Sequence, residues 1–326
     1  MHPSAPLRMH PSTSLRGASS GPLGHFASSF TSGDNSVSRG VFSRMRSLHI
    51  VTDSTCHIPP ALSQELGIHV VPLPFVWDGF TYLDDVDMGP REFYTRLRTS
   101  KTVPTTSGPT PGSFREVFGK LSQDGKPTLA ILVGSVFSST FLTATVAKGM
   151  GRGVDVTLVD SDLNTMGLGF VVLAAARAAN QGKGMNEVLE VVRRVKEASG
   201  VVFAVQDIAY LRRGGRIASI EGFFASMLRL IPIMELRGGP IRPVERIRTD
   251  RQLLPRLLDL VAERLEKARP LRLAVLHADA ETKAWDLMRS AQKRFAPDEL
   301  ILSELTPVLG THTGPDALGI AYSFGA

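Results

Sequence analysis

The chain has 326 residues, of which 43% are hydrophobic, so it can bury a sizeable core in one large or two smaller domains. No stretch reaches the roughly 18 consecutive apolar residues of a membrane-spanning helix, so we expect no stable membrane insertion. Cys56 is the only cysteine, which excludes an internal disulfide and a zinc site built on several cysteines. The formal net charge is +6, but residues 1–46 hold five arginines and one aspartate. The remainder shows no cluster of basic and aromatic residues, so we expect no nucleic-acid partner.

Residues 1–46 are predicted to lie outside the fold. An octapeptide is nearly repeated there, MHPSAPLR followed by MHPSTSLR, and the rest is rich in serine and glycine without apolar periodicity. Such a composition buries too little apolar surface to offset the entropy lost on ordering. Two interpretations remain open: an arginine- and serine-rich transit peptide, or a start site assigned too early, with Met45 as the true start.

The first predicted domain covers residues 47–199. Its apolar runs alternate with helical patterns, which is typical of a parallel sheet covered by helices on both faces. The four strands are predicted at Leu48–Val51, His69–Leu73, Thr128–Val133 and Val154–Val159.

The second predicted domain covers residues 200–326 and combines a mixed sheet with helices. Strands at 231–236 and 241–247 flank a Gly-Gly turn, which predicts a hairpin. The other predicted elements are a strand at Val201–Val205, a helix at Ile220–Arg229, an amphipathic helix at Arg256–Glu266, a strand at Leu271–Leu276, a helix around Ala284–Ala291 and a strand at Glu299–Leu302.

Two segments of the chain are rich in hydroxyls. Residues 105–111 (TTSGPTP) place four hydroxyls in a proline-stiffened loop, and residues 135–141 (SVFSSTF) open a helix after a buried strand. Ligands of parallel α/β sheets bind at the carboxyl ends of strands, where helix N-termini offer free N–H groups. Each segment has two open interpretations, a helix cap or a polar cup for an anion.

Other polar motifs carry weaker information. Asp53-Ser54-Thr55 and Asp160-Ser161-Asp162 are interpreted as strand-end caps and turn formers. The arginines around Gly214-Gly215 are interpreted as a surface charge run, of which Arg216 is best placed to point inward. His312 is predicted in a tight loop, where a lone histidine is usually structural. No HExxH motif, Walker A loop, Rossmann glycine pattern or nucleophile elbow occurs, which argues against the common enzyme classes.

Taken in chain order, these motifs resemble the DegV family of fatty-acid-binding proteins. The resemblance extends from Leu48 to the C-terminus. Seven motifs carry it: Ile50–Thr55, Thr106–Pro111, Phe137–Phe141, Val159–Ser161, Tyr210–Ile217, Arg248-Thr249 and Gly310–Pro315. The chain departs from the family pattern at Gly108, where the family usually has Gln, at Ser139, where it has Gly, and at Asp316, where it has Gly.

The resemblance implies a two-domain fold that holds one long-chain fatty acid, such as palmitate, stearate or oleate. It implies that the hydroxyls of Thr106 and Ser138, helped by the backbone N–H near Ser139, bind the carboxylate. Arg216, Arg248 and His312 would line or flank the headgroup side. Family members of this kind present the acid to a separate ATP-dependent fatty acid kinase, which makes the acyl phosphate. We therefore expect a non-catalytic cytoplasmic carrier without a cofactor or metal.

An apolar segment offers candidate lining for the acyl chain, although ordinary core packing is an equal interpretation. Each buried methylene contributes about 0.8 kcal/mol, so roughly 14 contribute on the order of 11 kcal/mol before entropy costs. The acyl chain would thus supply most of the affinity and the carboxylate contacts the orientation. The candidate lining residues are Phe223, Phe224, Met227, Leu228, Ile231, Ile233 and Met234.

Two other functions remain open. One is a hydrolase or transferase with Ser138 or Ser54 as the nucleophile and His312 as the base, which needs a serine–histidine hydrogen bond and an oxyanion site. The other is a regulatory protein for which the lipid is a signal.

Overall fold

Three β-sheets organise the described part of the chain, which is residues 46–151, 153–216, 230–265 and 269–325 of a computed structural model. Thirteen strands lie in these ranges: β1 (His49–Asp53), β2 (Ile68–Val71), β3 (Pro74–Trp77), β4 (Phe80–Leu83), β5 (Thr105–Thr106), β6 (Thr128–Leu132), β7 (Val156–Asp160), β8 (Ser199–Ala204), β9 (Ile231–Leu236), β10 (Arg242–Ile247), β11 (Leu271–His277), β12 (Glu299–Glu304) and β13 (Leu318–Phe324).

Helices cover both large sheets. The same ranges contain ten α-helices: α1 (Pro60–Leu66), α2 (Pro90–Thr99), α3 (Pro111–Leu121), α4 (Thr140–Met150), α5 (Thr165–Asn180), α6 (Met185–Glu197), α7 (Ile208–Gly214), α8 (Leu253–Arg264), α9 (Glu281–Phe295) and α10 (Pro307–Thr313). None of these helices is long and apolar enough to cross a membrane.

The first sheet has the order β2-β1-β6-β7, and all its neighbours are parallel. Every residue of β6 is buried, because helices cover both faces of the sheet. Leu129 and Ile131 pack in the same cluster as apolar residues of α5, whereas Ala130 and Leu132 pack with residues of α3 and α4. This arrangement confirms the predicted four-stranded parallel sheet.

The second sheet is mixed, as predicted, with the order β10-β9-β8-β13-β11-β12. Its strands pair antiparallel except for β11 and β12, which are parallel. The central strand β13 was not predicted, although all its residues are buried. Its larger residues Leu318, Ile320 and Tyr322 pack in one cluster with apolar residues of α8 and α9.

A third, small sheet has the order β4-β3-β5 and was not predicted either. Its hairpin turns at Asp78-Gly79, and both residues have a positive φ, which is the geometry of a type I′ turn. Pairing of β5 with β3 places Thr106 opposite Phe75. The first two hydroxyls of the segment, those of Thr105 and Thr106, are thereby held on a strand rather than in a loop.

Two of the motif segments are helical. The tight loop predicted around His312 is wrong: the residue lies in α10, which begins with Pro307 at its first position and ends before Gly314, with φ 67°. The residues before Gly214-Gly215 form α7, which ends at Gly215 in the left-handed conformation. The helix predicted at 220–229 lies outside the described residues.

The two large sheets share one hydrophobic core. A single buried cluster contains Leu163 and Met166 from the loop after β7 and the start of α5, together with Val201 of β8 and Leu276 of β11. The division of the chain at residue 199 therefore remains a prediction, and the packing joins the two parts into one structural unit.

Arg46 anchors the beginning of the described chain. Its guanidinium donates to Asn180 Oδ1 at 2.9 Å, to Leu66 O at 3.0 Å and to Gly67 O at 3.1 Å. A chain that begins at Met45 should therefore keep the melting temperature and ligand content of the full chain. Replacing Arg46 with Ala in that shortened chain should destabilise it by about 1–3 kcal/mol, because hydrogen bonds to charged groups are lost.

Thermal unfolding of the three proteins is the measurement. A drop of several degrees on removing residues 1–44 alone would show that these residues pack on the fold.

Candidate functional site

A cavity of about 120 Å³ lies where the first sheet meets the second. Residues that follow each of the four parallel strands line it: Thr55 after β1, Leu73 after β2, Val133 after β6 and Asn164 after β7. The carboxyl edge of a parallel α/β sheet is the usual position of a ligand site.

One face of the second sheet forms the opposite wall. Phe203 of β8, Gly319 of β13 and Leu276 of β11 occupy one cross-strand row, with Gly319 in the middle. A Cβ on Gly319 would lie 2.8 Å from Cβ of Phe203, so the close approach of β13 to β8 requires glycine there. The apolar residues that line the cavity are Leu73, Val133, Phe137, Val201, Phe203, Leu211, Ile241, Leu276, Leu305, Val308, Leu309, Ala317 and Leu318.

The hydroxyl-rich segments meet at the cavity. Thr106, Ser138 and Ser139 all line it. Ser138 Oγ accepts the N–H of Thr140 at 3.2 Å and lies 2.7 Å from the Thr140 hydroxyl, at the start of α4. Ser139 holds the N-cap position without a side-chain cap bond. The structure therefore brings the three predicted carboxylate-binding residues to one cavity, whether or not Ser138 also caps the helix.

Two departures from the family pattern lie against each other. A Cβ on Gly108 would lie 2.4 Å from Oγ of Ser139. Because Gly108 has no side chain, the hydroxymethyl group of Ser139 can occupy the space beside it. Segment 106–108 and the start of α4 can approach closely because only one of the two positions has a side chain.

His312 completes the polar end of the cavity. Its Nε2 lies 2.8 Å from Thr106 Oγ1, and its buried Nδ1 has no hydrogen-bond partner among the residues that the structure describes. Burial, and secondly the charge of Arg216, lower the pKa of His312 to about 4, so the ring is neutral at pH 7. Assigning the hydrogen to Nε2 leaves a lone pair rather than an N–H unpartnered at Nδ1. Nε2 then donates to Thr106, and the Thr106 hydroxyl hydrogen is free for a ligand.

Arg216 lies at the mouth of the cavity, and Arg248 does not. Arg216 is exposed, lines the cavity, and donates from Nε to Phe137 O at 3.2 Å. Arg248 is exposed beyond β10, where its backbone N–H donates to Gln252 Oε1 at 3.1 Å. The structure thus places His312 and Arg216 with the hydroxyls and leaves Arg248 outside this group.

The predicted acyl-chain lining is only partly described. Ile231 and Ile233 pack with the second cluster, on the face of the sheet that α8 and α9 cover, and neither lines the cavity. Successive side chains of a strand alternate between faces, so the neighbouring Met234 packs in the first cluster instead. The other four candidates, Phe223, Phe224, Met227 and Leu228, lie outside the described residues.

Several lining residues were missed by the sequence analysis. Val308 and Leu309 lie one helical turn before His312, directly ahead of the Gly310–Pro315 motif. Val201 and Phe203 alternate along β8, which was predicted as a strand but without an assignment of its two faces. Period-2 alternation could identify such pairs, although it does not say which face meets a ligand.

The hydrogen bonds of the site do not form a serine–histidine pair. Nε2 of His312 is bonded to Thr106, and Oγ of Ser138 to Thr140. Ser54 Oγ accepts the N–H of Leu73 at 3.1 Å. Among the described residues, no group of three or more His, Cys, Asp and Glu side chains is arranged to hold a metal ion.

Comparison with known proteins identifies the family. The statistical model of one family, described as "Uncharacterised protein, DegV family", matches residues 47–325. The chain belongs to the DegV family. Protein DegV of Bacillus subtilis is 32% identical over 276 residues, which are 84% of this chain and 98% of that protein. The resemblance noted in the sequence is thereby confirmed, while the kinase-associated subtype remains a prediction.

Solved structures of DegV proteins share the fold. A DegV family protein from Thermus thermophilus, whose structure is described as showing fatty acid binding, is similar with a TM-score of 0.81 and 29% identity. The alignment covers 86% of this chain and 100% of that one. DegV from Bacillus subtilis, described as a fatty acid binding protein, has a TM-score of 0.80 and 31% identity over 86% of this chain and 99% of that one.

The neutral state of His312 makes stability depend on pH. Between pH 6.5 and about 4 the His312 imidazole binds a proton in the unfolded chain but stays neutral in the folded protein. The free energy of unfolding therefore decreases as the pH falls through that window. The loss amounts to about 2–3 kcal/mol at pH 4.5. His312→Gln keeps an N–H donor near Nε2 but does not titrate.

Urea unfolding at pH 7 and pH 4.5 tests this assignment. The wild-type protein should lose more stability on acidification than His312→Gln does. Equal losses in the two proteins would show that His312 is not held neutral by burial.

Proposed function

We propose that the chain binds one long-chain fatty acid in this cavity, with the carboxylate at the polar end and the acyl chain along the apolar wall. The observation that carries the proposal is a cavity with a largely apolar lining that ends at converging hydroxyls beside a neutral histidine. Relatives that share the fold at 29% and 31% identity are described as fatty acid binding, which supports the same ligand class here.

The carboxylate would be bound by hydroxyls rather than by a buried cation. Thr106 is free to donate because His312 donates to its oxygen, and Ser138 is free to donate if the buried Thr140 hydroxyl donates to it. The N–H groups in the first turn of α4 lie beside Ser139 and favour an anion. Hydrogen bonds to a charged group contribute about 1.5–3 kcal/mol each, which is enough to orient the ligand.

The acyl chain would supply most of the binding energy. Val201, Leu276, Leu305 and Val308 line the apolar part of the cavity and come from both sheets and α10. Each methylene that they shield from water contributes about 0.8 kcal/mol. These residues take the place that the sequence analysis gave to Ile231 and Ile233, and a contribution from Phe223, Phe224, Met227 and Leu228 remains part of the proposal.

We further propose that the protein is a non-catalytic cytoplasmic carrier that presents the carboxylate to a separate ATP-dependent fatty acid kinase. Arg216 supports this role because it is exposed at the mouth, beside the carboxylate site, where an incoming phosphate would lie. A carboxylate that is bound by hydroxyls is not neutralised by a buried arginine, so one of its oxygens remains available to attack a phosphate. The bonding of His312 to Thr106 rather than to a serine favours a carrier over a hydrolase.

Purified protein should carry fatty acid, up to one molecule per chain. Changing both Thr106 and Ser138 to Ala should weaken binding by about 3–6 kcal/mol at most, because the acyl chain still contributes. Mass spectrometry of the extracted lipid and titration with palmitate or oleate are the measurements. Ser290→Ala removes a helix-surface hydroxyl bonded to Asp286 O and is the matched control.

A wild-type protein that releases no lipid and takes up neither acid would overturn the carrier proposal. Hydrolysis of a simple ester that disappears in Ser138→Ala would favour the hydrolase instead.

The two exposed arginines separate binding from phosphoryl transfer. Arg248 does not line the cavity, so Arg248→Ala should leave palmitate affinity within about twofold. If Arg248 serves kinase docking or phosphoryl transfer, as the family resemblance implies, the same change should abolish acyl-phosphate formation with the cognate kinase. Arg216→Ala should impair both, because Arg216 lines the cavity and anchors Phe137. Arg289→Ala, on the exposed face of α9, is the control.

Affinity and kinase-coupled phosphorylation are measured for each variant. If Arg248→Ala changes neither quantity, Arg248 has no part in the partnership. Equal loss of both would place it in the ligand site.

A further inference from the structure

A buried polar cluster outside the cavity fixes the start of α10. The N–H of Thr306 donates to His57 Nε2 at 3.0 Å, and its hydroxyl donates to Asp84 Oδ2 at 2.8 Å. The N–H of Val308 donates to Asp84 Oδ1 at 2.9 Å. His57 and Asp84 are 5% and 1% exposed, and neither lines the cavity. We call these two residues the α10 clamp.

Helix α10 has no cap of its own at this end. Thr306 holds the N-cap position without a side-chain cap bond, and Pro307 has no N–H. Val308 therefore carries the first helical N–H that needs a partner, and the partner comes from a residue 224 positions earlier in the chain. Removing a buried acceptor of this kind leaves its donors unsatisfied, which is costly.

The protonation states fit the bonds. Nε2 of His57 accepts an N–H, so its hydrogen lies on Nδ1, which is 2.8 Å from Thr55 O. Burial lowers the pKa of His57 to about 4 and keeps this acceptor available at neutral pH. Burial raises the pKa of Asp84 to about 6, which still leaves mostly carboxylate at pH 7.

The clamp acts on a helix that lines the ligand site. Val308, Leu309, His312 and Thr313 all line the cavity. Val308 and His312 are four residues apart, which is about 6 Å of helix rise. A shift at the clamped end is therefore carried directly to the imidazole that is bonded to Thr106.

We propose that His57 and Asp84 are positioning residues for the carboxylate site. By holding the N-terminus of α10 from the other half of the chain, they set the place of His312 against Thr106. The ligand readout of this proposal rests on the proposed function. Hydrogen exchange of the α10 amides is a second readout that needs no ligand.

Asp84→Ala removes both acceptors at once. It should weaken palmitate binding about tenfold or more and speed hydrogen exchange at Val308 and along α10. Leu257→Ala, in the cluster on the far side of the second sheet, is the matched control for general destabilisation. Leu257→Ala should leave palmitate affinity within about twofold and should not change hydrogen exchange along α10. Both variants are measured at the same number of degrees below their own melting temperatures.

Two conservative variants keep the test decisive if Asp84→Ala does not fold. Asp84→Asn retains a carbonyl oxygen for Val308 and should recover most of the affinity. His57→Asn tolerates the left-handed φ of 54°, but its side chain is too short to place an acceptor where Nε2 meets the N–H of Thr306. It should therefore bind palmitate more weakly than Asp84→Asn.

Equal effects of Asp84→Ala and Leu257→Ala on palmitate affinity would overturn the proposal, as would His57→Asn binding as tightly as the wild type. If the wild type binds no palmitate, the proposed function fails, and α10 exchange alone decides the clamp. Unchanged exchange in Asp84→Ala and His57→Asn would then refute it.

Discussion

Helix α10 follows most of the second sheet in the chain, yet it packs against α2 of the N-terminal half as well as against the nearby α7. The hydroxyl of Tyr94 in α2 donates to Leu305 O at 2.9 Å, just before the helix. Gly310 lies so close to α2 that a Cβ there would be 2.6 Å from that hydroxyl. Beyond the helix, Asp316 pairs with Arg98 at 3.2 Å. The cavity between the sheets therefore has one wall whose position depends on how these distant segments pack together, and the charge of Asp316 is engaged away from His312.

Close backbone approach and burial together determine the chemistry of the polar end. Gly214 lies against His312, because a Cβ there would be 2.2 Å from Nδ1. This packing excludes water from the ring and keeps it neutral, so His312 can orient the Thr106 hydroxyl without adding a charge. The positive charge is left to Arg216, which is exposed at the mouth. In such a site, neutral hydroxyl donors inside the cavity orient the carboxylate. The exposed guanidinium of Arg216 attracts further anions at the mouth.

Local patterns predicted much of the fold but little of the packing between its halves. The four parallel strands are near-continuous apolar runs, which a local pattern identifies. The strand β13 was missed although Ile320 and Tyr322 alternate with smaller residues. Ser138 and Ser139 were identified because they follow a buried strand, and Thr106 because it lies in a hydroxyl-rich, proline-stiffened segment. The faces of β9, by contrast, are set by its pairing with β8 and β10, and the start of α10 is held by residues more than 200 positions away. Short-range periodicity carries no information on either.

A crystal structure of the protein saturated with palmitate tests the central proposal most directly. We expect one acid per chain, with carboxylate oxygens at hydrogen-bond distance from Thr106 Oγ1 and Ser138 Oγ and methylenes against Val201 and Leu276. A carboxylate at the apolar end of the cavity, or palmitate bound only elsewhere on the surface, would contradict the proposal.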